Sequence, residues 1–348
     1  MSFWTAPAHA LGFLPAPSLT GMEQRILGRT ERPVSVVGLG TWQLGADWGS
    51  VSETDALEVL AAAVEGGVTF LDTADVYGDG RSEQLIGRFL AENPGTPITV
   101  ATKIGRREEQ VPENYTLANF RGWVDRSRRN LRTDRLDLVQ LHCPPPSVLS
   151  SDRAYDDLDT LVEEDAIAAY GVSVETCDEA LTAMSRRGTA TVQIILNAFR
   201  RKPLDDVLGA AATNAVGIIA RVPLASGLLS GRYTTDTTFA ADDHRTYNRH
   251  GEAFDVGETF AGVPYEAGLE AVEALRGIVP EGVAMAQFAL RWIVDQPGVT
   301  TVIPGARSPE QARGNLAAAD LAPLSDEQLA AVEAVYDAHV REYVHDRW

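Results

Sequence analysis

The sequence predicts an α/β protein built as a (β/α)8 TIM barrel, a closed ring of parallel strands that alternate with helices. Short apolar runs of strand character alternate with helical periodicity from about residue 36 to residue 303, which is typical of parallel strands joined by helical crossovers. No Pro/Gly/Ser-rich linker divides the 348 residues, so we expect one domain over residues 22–348. An open, doubly wound sheet is the structural alternative.

The first elements are a hairpin and the first barrel strand. Residues 23–27 and 34–37 are strand-like runs separated by turn residues, so we expect a β-hairpin that plugs one end of the barrel. The next strand enters a glycine turn, where Gly38 and Gly40 suggest the dinucleotide fingerprint G-x-G-x-x-G. Gln43 stands where the third glycine is needed, and Asp72 is too distant to be the acidic residue of that motif. This mismatch weakens the open-sheet alternative.

Helices and strands then alternate along the chain. Ser52 and Asp55 form a predicted capping box for the first helix, and Ser82 is the predicted N-cap of the second. Further helices are predicted at 116–131, 158–166, 178–186, 204–213, 266–278 and 283–294, followed by C-terminal helices. Strands are predicted at 68–72, 98–102, 136–141, 169–174, 191–197, 216–222 and 299–303. Together with the strand at residue 36, these make the eight strands of the barrel.

Composition excludes several classes of partner. The chain has 30 basic and 49 acidic residues and a net charge of −19, which argues against nucleic acid and anionic membranes as partners. Cys143 and Cys177 lack the spacing of a metal site and are predicted to be free thiols in a reducing compartment. Residues 1–21 lack the basic start of a signal peptide, and no apolar run reaches transmembrane length. We therefore expect a disordered extension before a cytoplasmic domain.

Four polar residues stand where a barrel carries its chemistry. Asp72, Lys103 and His142 each end one of three successive predicted strands, and Tyr77 follows Asp72 by five positions. The carboxyl ends of barrel strands meet at one face, so we expect these side chains to converge. Lys103 is one of only two lysines in the chain, which makes its place in an apolar strand more informative. Each residue alone has an ordinary structural explanation, but the combination favours a catalytic site without a metal.

These four residues can deliver a proton to a carbonyl oxygen. A tyrosine hydroxyl, with a reference pKa of about 10, is a poor acid near neutrality, but the neighbouring Lys103 ammonium would favour the phenolate. Asp72 would hold Lys103 and reduce the cost of burying its charge. His142 would donate a hydrogen bond to the substrate oxygen, where negative charge develops. We therefore predict that Asp72, Tyr77, Lys103 and His142 are the catalytic residues.

Several motifs between about residue 22 and residue 315 resemble those of the aldo-keto reductase superfamily. They are GLGTW at 38–42, Asp72 with Tyr77 in the frame D-x-A-x-x-Y, Lys103, the strand that ends on His142, GVS at 171–173, Gln193 with Asn197, and IPGAR at 303–307 leading to Gln311 and Asn315. The order and spacing of these motifs make the resemblance specific.

The resemblance implies an NADP(H)-dependent oxidoreductase that reduces an aldehyde or ketone to an alcohol, with Tyr77 as the proton donor. NAD(H) is the alternative cofactor. Trp42, Tyr77 and His142 would contact the small carbonyl or alcohol substrate. The residues that the resemblance assigns to the cofactor are Gly40, Thr41, Trp42, Asp72, Ser173, Gln193, Pro223, Leu224, Ser226, Gly227, Leu228, Arg232, Gly305, Arg307, Gln311 and Asn315. Among these, Ser173 and Gln193 would hold the carboxamide, and Arg307 would meet the 2′-phosphate unless it is a solvated surface residue.

Two residues depart from the family pattern. Val174 stands where the family has an asparagine after Ser173, so one hydrogen bond to the carboxamide would be missing or rerouted through Asn197. Leu196 stands where the resemblance implies an aromatic ring stacked on the nicotinamide, and this removes a contribution of about 0.5–1.5 kcal/mol. Both departures bear on cofactor affinity and on the preference for NADP over NAD.

The segment 231–265 is a long stretch without clear periodicity, and such loops are usually functional or disordered. It carries Arg232, His244, Arg245, Arg249 and His250. We predict a lid over the cofactor whose arginines meet the phosphates, with a solvated insertion as the alternative.

Two other functions stay open from the sequence. One is an NAD(P)-dependent sugar or polyol dehydrogenase that works in the oxidative direction, and the other is an NADPH-binding regulatory subunit with slow turnover. Trp42, Trp48 and Trp123 are the aromatic candidates for a substrate pocket. The sequence does not indicate an oligomeric state.

Overall fold

The computed structural model describes residues 21–45 and 51–348 and contains the predicted barrel. Apart from Gly21, the predicted N-terminal extension lies outside the described residues, as does Trp48. The strands are β1 (Gln24–Ile26) and β2 (Pro33–Ser35), which form the hairpin, and the barrel strands β3 (Leu39–Gly40), β4 (Phe70–Asp72), β5 (Thr99–Ile104), β6 (Leu138–His142), β7 (Tyr170–Ser173), β8 (Thr189–Ile195), β9 (Gly217–Arg221) and β10 (Val299–Val302). The eight barrel strands are parallel and neighbour one another in chain order.

The hairpin closes the end of the barrel at which the strands begin, as predicted. Gly28 in its turn has a φ of 49°, and a Cβ there would lie 2.2 Å from Gly217 N and 2.3 Å from Ala190 O. Only glycine allows this approach to the starts of β8 and β9. The opposite end, where the strands finish, is left to carry the site.

The barrel closes at a seam between its first and last strands. Gly38 N donates to Val302 O at 2.8 Å and Gly40 N donates to Pro304 O at 3.1 Å, and a parallel bridge links Gly40 with Gly305. The strand β3 itself is only two residues long. Val302 N also donates to Val36 O at 3.0 Å, so backbone hydrogen bonds join the first and last strands across the seam.

Helices surround the barrel. They are α1 (Glu53–Glu65), α2 (Arg81–Glu92), α3 (Leu117–Leu131), α4 (Pro146–Leu149), α5 (Asp152–Glu163), α6 (Cys177–Met184), α7 (Lys202–Asp206), α8 (Leu208–Thr213), α9 (His244–Tyr247), α10 (Tyr265–Arg276), α11 (Met285–Val294), α12 (Pro309–Leu316), α13 (Asp326–His339) and α14 (Arg341–Val344). The predicted helix 204–213 is divided into α7 and α8 at Val207. Within the described residues, no helix combines the length and apolar character that crossing a bilayer requires.

Helix starts agree with the sequence in one case and differ in another. The predicted Ser52 cap is confirmed, because its Oγ accepts from Asp55 N at 3.1 Å. The predicted Ser82 cap is wrong, because α2 begins after Gly80, which has a φ of 92°. Ser82 lies inside the helix, where its hydroxyl donates to Thr41 Oγ1 at 2.8 Å. The Ser82 hydroxyl therefore joins α2 to the residue after β3 and does not cap the helix.

The interior of the barrel is layered. One apolar layer consists of the fully buried side chains of Phe70, Ala101, Leu138 and Ile219. Residues two positions apart on a strand point to the same side. The next inward positions toward the carboxyl ends are therefore polar: Asp72, Lys103, Gln140 and Arg221. The strand period thus places four polar side chains above an apolar floor.

Candidate active site

Lys103 occupies the centre of this polar layer. Its side chain is 1% exposed, and its Nζ donates to Asp72 Oδ1 at 2.5 Å, to Thr73 O at 2.9 Å and to Tyr77 OH at 3.2 Å. An ammonium has three donor hydrogens, so these contacts use all of them. The structure therefore brings Asp72, Lys103 and Tyr77 together as one hydrogen-bonded group.

The second carboxylate oxygen of Asp72 is also paired. Asp72 Oδ2 accepts from Gln193 Nε2 at 2.7 Å and from Gln140 Nε2 at 3.1 Å. Gln193 was expected to face a cofactor carboxamide, whereas here its amide nitrogen is engaged by Asp72. Sequence analysis did not single out Gln140, although its spacing of two from the inward-facing Leu138 was the available signal. The two glutamines help to stabilise a buried carboxylate.

Burial and charge act in opposite directions on Tyr77. Burial raises the pKa of the Tyr77 phenol above its ordinary value, while the Lys103 ammonium lowers it. The sequence predicted the effect of the lysine but not that burial outweighs it. Burial also lowers the pKa of Lys103, but the Asp72 carboxylate and the Tyr77 oxygen together raise it above its ordinary value. Near neutral pH, Tyr77 therefore holds its proton and Lys103 its charge.

His142 lies beside Tyr77 at the end of β6. The two rings meet edge to face with 6.0 Å between their centroids. Burial, assisted by the charge of Arg106, lowers the pKa of His142 well below its ordinary value, so the imidazole is neutral near pH 7. Its Nδ1 has no hydrogen-bond partner among the described residues. A neutral imidazole keeps one N–H, which can donate to a substrate oxygen.

A cleft of about 640 Å³ opens at the carboxyl ends of the strands, and its size suits a cofactor or a similar organic ligand. Tyr77 forms part of its wall. The predicted cofactor residues that also line it are Gly40, Thr41, Trp42, Asp72, Gln193, Pro223, Leu224, Ser226, Gly227, Arg232, Gly305, Arg307, Gln311 and Asn315. Positions that are far apart in the chain therefore converge on one cavity.

Four of the predicted catalytic and cofactor residues, Lys103, His142, Ser173 and Leu228, do not line this cleft, and neither does Trp123. Ser173 is 1% exposed, and its Oγ lies 3.5 Å from Cys143 Sγ. Leu228 is buried in the core, and His142 lies outside the cleft wall beside Tyr77. Trp123, a predicted substrate-pocket residue, packs in the core against aromatic neighbours on α3 and the preceding loop. For Trp123 the core position corrects the prediction.

The turn after β9 holds a later segment of the chain over the cleft. Ser226 and Gly227 both have positive φ, at 53° and 97°. The Ser226 hydroxyl donates to Glu258 O at 3.0 Å and accepts from Phe260 N at 3.1 Å. A Cβ on Gly227 would lie 2.1 Å from Tyr233 OH, so the turn needs glycine there. In this arrangement the Ser226 hydroxyl serves the protein's own fold.

Comparison with known proteins decides the family. The sequence profile of the Aldo/keto reductase family matches residues 36–337. The chain belongs to this family. Aldo-keto reductase YhdN of Bacillus subtilis (strain 168) is 31% identical to it over 296 residues, which cover 83% of this chain and 86% of that protein.

Solved structures of aldo/keto reductases have the same fold. The glycerol dehydrogenase AKR11B4 from Gluconobacter oxydans superposes with a TM-score of 0.75 at 31% identity, covering 91% of this chain and 95% of that one. An aldo-keto reductase from Klebsiella pneumoniae in complex with NADPH superposes with a TM-score of 0.67 at 25% identity, covering 90% of this chain and 96% of that one. The predicted barrel and the predicted family are both confirmed.

This aldo/keto reductase has a charge cluster that sequence analysis missed, formed by Arg106, Glu175, Arg221 and Glu258. Arg221 Nη2 lies 2.7 Å from Glu175 Oε2, and Arg221 Nη1 lies 3.6 Å from Glu258 Oε1. Arg106 Nη2 lies 3.6 Å from Glu175 and 3.5 Å from Glu258. Arg221 and Glu258 also line the cleft. The charge cluster joins four segments that are distant in the chain, so their pairing could not be predicted from the sequence. The only available signal was the spacing of Arg221, two residues after Ile219, which indicates that it points into the barrel.

The two carboxyl groups of the charge cluster titrate differently. Burial raises the pKa of Glu175 to about 7, although Arg221 opposes this. Burial acts the same way on Glu258, but Arg221 and Arg106 outweigh it and hold the pKa of that carboxyl below its usual range. Cys143 Sγ lies within 4.8 Å of both carboxylates. Burial raises the pKa of this thiol to about 12, so the thiolate that a metal would bind is not formed near neutral pH. The two carboxylates are already paired with arginines, so Cys143, Glu175 and Glu258 do not favour a metal site.

The segment 231–265 contains the short helix α9 and two helical turns, so it is more ordered than its sequence suggests. Arg232 and Arg245 line the cleft. Arg249 instead packs over the rings of two aromatic residues, 5.5 Å and 4.9 Å from their centroids. His244 is fully buried, with Nε2 3.3 Å from a serine hydroxyl, and His250 is exposed. Two of the three arginines are therefore placed to meet a ligand.

Asp75 is a buried carboxyl group outside the hydrogen-bonded group. Neither of its carboxyl oxygens has a hydrogen-bond partner among the described residues. Burial, together with the nearby Glu83 carboxylate, raises its pKa from 3.8 to about 7. The folded protein therefore keeps the proton up to about pH 7, whereas the unfolded chain releases it near pH 3.8, so stability falls as the pH rises between these values.

We expect the Asp75→Asn variant to be more stable than the wild type at pH 8, by about 2–4 kcal/mol, because the amide cannot ionise. The gain should shrink steadily and approach zero near pH 4, where both proteins are uncharged at this position. Urea unfolding at both pH values measures the difference. An equal difference at pH 4 and pH 8 would show that the carboxyl does not titrate as described.

Proposed function

We propose that this aldo/keto reductase reduces an aldehyde or ketone to an alcohol with NADP(H). The observation that carries the proposal is the buried Lys103 Nζ, which lies 2.5 Å from Asp72 Oδ1 and 3.2 Å from Tyr77 OH. Asp72 and Tyr77 in turn line the cleft together with the predicted cofactor residues. This arrangement can move a proton at Tyr77 without a metal. The NADPH complex of the Klebsiella relative supports the choice of cofactor.

Each of the four predicted catalytic residues has a separate task in the proposed reaction. Tyr77 gives its hydroxyl proton to the oxygen that becomes the alcohol, and Lys103 stabilises the phenolate that is left. Asp72 keeps Lys103 charged and in position. The neutral imidazole of His142 donates a hydrogen bond that orients the carbonyl. When bound, the cofactor supplies the hydride that reduces the carbonyl carbon.

The far end of the cleft fits the adenosine phosphate of NADP. The helix α12 begins after Ser308, whose Oγ accepts from Gln311 N at 3.2 Å, and helix N-termini favour anions. Arg307 is exposed beside this N-terminus, and its guanidinium fork matches phosphate geometry. Asn315 Nδ2 donates to Gly305 O at 3.1 Å and fixes the preceding turn. The position of Arg307 supports NADP over NAD, because only NADP carries the 2′-phosphate that this guanidinium would meet.

The substrate end of the cleft has an aromatic wall. Trp42 lies nearly parallel to Tyr77, with 6.1 Å between ring centroids, and it also contacts His244 and Phe254 at 5.3 Å and 6.0 Å. We infer a small organic carbonyl compound as the substrate. The net charge of −19 supports a cytoplasmic enzyme without a nucleic-acid partner.

Calorimetric titration with NADPH and NADH, followed by NADPH oxidation with a panel of aldehydes and ketones, tests the proposal. We expect NADPH to bind more tightly than NADH and at least one carbonyl compound to be reduced. Binding without turnover on any compound would favour the regulatory-subunit alternative. If neither nucleotide binds, the proposal is wrong.

The similarity to a glycerol dehydrogenase favours a second candidate, oxidation of a polyol by the same residues. Arg221 and Glu258 on the cleft wall could hydrogen-bond to the hydroxyl groups of such a substrate. Reduction of NADP+ with glycerol and longer polyols, compared with oxidation of NADPH by the matching aldehydes, separates the two directions. Efficient turnover confined to the polyols would replace carbonyl reduction as the assigned function.

We expect saturating NADPH to protect the segment 231–265 from trypsin, because the cofactor phosphates would contact Arg232 and Arg245 and hold the segment closed. Limited proteolysis with and without NADPH, with the cleavage sites identified by mass spectrometry, measures the protection. Cleavage after the exposed Arg153 on α5 is the internal control and should not change. Unchanged cleavage after Arg232 and Arg245 at full NADPH occupancy would contradict the lid.

A further inference from the structure

The expected partners of the nicotinamide carboxamide are incomplete in this chain. Val174 replaces an asparagine, and Ser173 does not line the cleft. Asn197, the alternative partner for the carboxamide, is fully buried and does not line the cleft. Its Nδ2 donates to Val222 O at 2.9 Å and its Oδ1 accepts from Phe199 N at 2.8 Å, so the protein's own backbone holds this side chain in place. The aliphatic Leu196 is fully buried and offers no hydrogen bond.

The guanidinium of Arg221 lies beside Val174, where the family pattern has a polar side chain. Arg221 Nη2 donates to Val174 O at 3.0 Å and to Glu175 Oε2 at 2.7 Å. The register pairs Arg221 with Ile195, two residues after Gln193, so Arg221 lies one layer above Gln193 in the cleft wall. Arg221 Nη1 lies 3.6 Å from Glu258 Oε1, which is longer than a hydrogen bond. Its donor hydrogens are therefore available to an acceptor on a ligand that enters the cleft.

We propose that Arg221 holds the nicotinamide end of the cofactor, donating to the carboxamide oxygen and setting its positive charge beside the ring, so that the protein binds NADPH more tightly than NADP+. The inference rests on the proposed function, because it requires NADP(H) in this cleft. Arg221 would then replace the nicotinamide contacts that Val174 and Leu196 cannot make. The planar guanidinium is suited to lying against a flat ring while it donates from its edge.

The preference for NADPH follows from the charge of the ring. The nicotinamide ring is positively charged when oxidised and neutral when reduced, so a nearby guanidinium repels only the oxidised form. Glu258 and Glu175 offset part of the charge of Arg221 and Arg106. Because the pKa of Glu175 is about 7, this carboxyl is partly protonated near neutrality and the compensation is incomplete. The charge cluster then has a net positive charge beside the ring.

Calorimetric titration of the wild type and of Arg221→Gln with three ligands tests the proposal. The ligands are NADPH, NADP+ and 2′-phospho-ADP-ribose, which has no nicotinamide and reports on the rest of the cleft. We expect Arg221→Gln to weaken NADPH binding by about tenfold, the effect of losing one hydrogen bond from a charged group. The affinity for NADP+ should change by less than about threefold, because NADP+ loses the hydrogen bond but is also relieved of the repulsion from Arg221. The affinity for 2′-phospho-ADP-ribose should also change by less than about threefold, because this ligand has no nicotinamide.

A second variant keeps the test decisive if Arg221→Gln is poorly folded in a thermal melt. Glu175→Gln leaves Arg221 in place and removes a compensating carboxylate, so it should increase the preference for NADPH over NADP+ severalfold. An unchanged preference in the folded variants, or an equal loss for all three ligands, would overturn the role of Arg221. If the wild type binds none of the three ligands, it is the proposed function itself that fails.

Discussion

The Tyr77→Phe variant is expected to lose turnover by about 10²–10⁴-fold, the usual contribution of a positioned general acid. The substitution keeps the ring that meets His142 and removes only the hydroxyl that lies 3.2 Å from Lys103 Nζ. The initial rate of NADPH oxidation on the best carbonyl substrate measures the effect. The dissociation constant for NADPH should stay close to that of the wild type, since an effect on the chemical step alone leaves binding unchanged.

Tyr115→Phe is the matched control for this experiment. The Tyr115 hydroxyl accepts from Gln110 Nε2 at 3.1 Å in the loop after β5, and the residue does not line the cleft. Its loss should leave turnover near the wild-type level. If Tyr77→Phe retained more than about a tenth of wild-type turnover, Tyr77 would not be the proton donor.

The Lys103→Met variant is expected to lose about 3–5 kcal/mol of unfolding free energy as well as turnover. Removing the ammonium leaves the Asp72 carboxylate buried without its charged partner, and an unpaired buried charge costs more than the pair contributes. The double variant Asp72→Asn/Lys103→Met removes both charges and should recover most of the stability while remaining inactive. Urea unfolding of the three proteins, with turnover assayed in parallel, separates the two effects.

The other lysine provides the control. Lys202 is partly exposed at the start of α7, so Lys202→Met should change the unfolding free energy by no more than about 0.5 kcal/mol. If the double variant were as unstable as Lys103→Met, the loss would come from packing around residue 103 and not from the uncompensated carboxylate.

The barrel and its principal residues could be predicted because both leave local signals. A buried parallel strand reads as an apolar run, and a polar residue that ends such a run stands out, as Asp72, Lys103 and His142 do. Their convergence then follows from the geometry of a barrel. The family motifs extended the same reasoning to the cofactor residues, and all but Ser173 and Leu228 line the cleft.

Features that depend on contacts between distant segments could not be predicted. Ser82 has the chemistry of an N-cap, but the left-handed Gly80 begins the helix and the serine hydroxyl binds another loop instead. The pairing of Arg221 with Glu175 and Glu258 joins three segments, and nothing in the local sequence of any one indicates it. The dominant effect of burial on Tyr77 likewise depends on the surroundings that the whole fold supplies.

The seam between the first and last strands connects the stability of the barrel with cofactor binding. Gly40 and Gly305 face each other across the seam, and both line the cleft, although almost the whole barrel separates them in the chain. Bringing such distant segments together is entropically costly, and the strand β3 at this seam is only two residues long. A dinucleotide that contacts both the first and the last strand would stabilise the closed barrel, because the strands could not separate at the seam without losing the bound cofactor. Cofactor supply would then govern not only how fast the enzyme works but also how long each molecule survives.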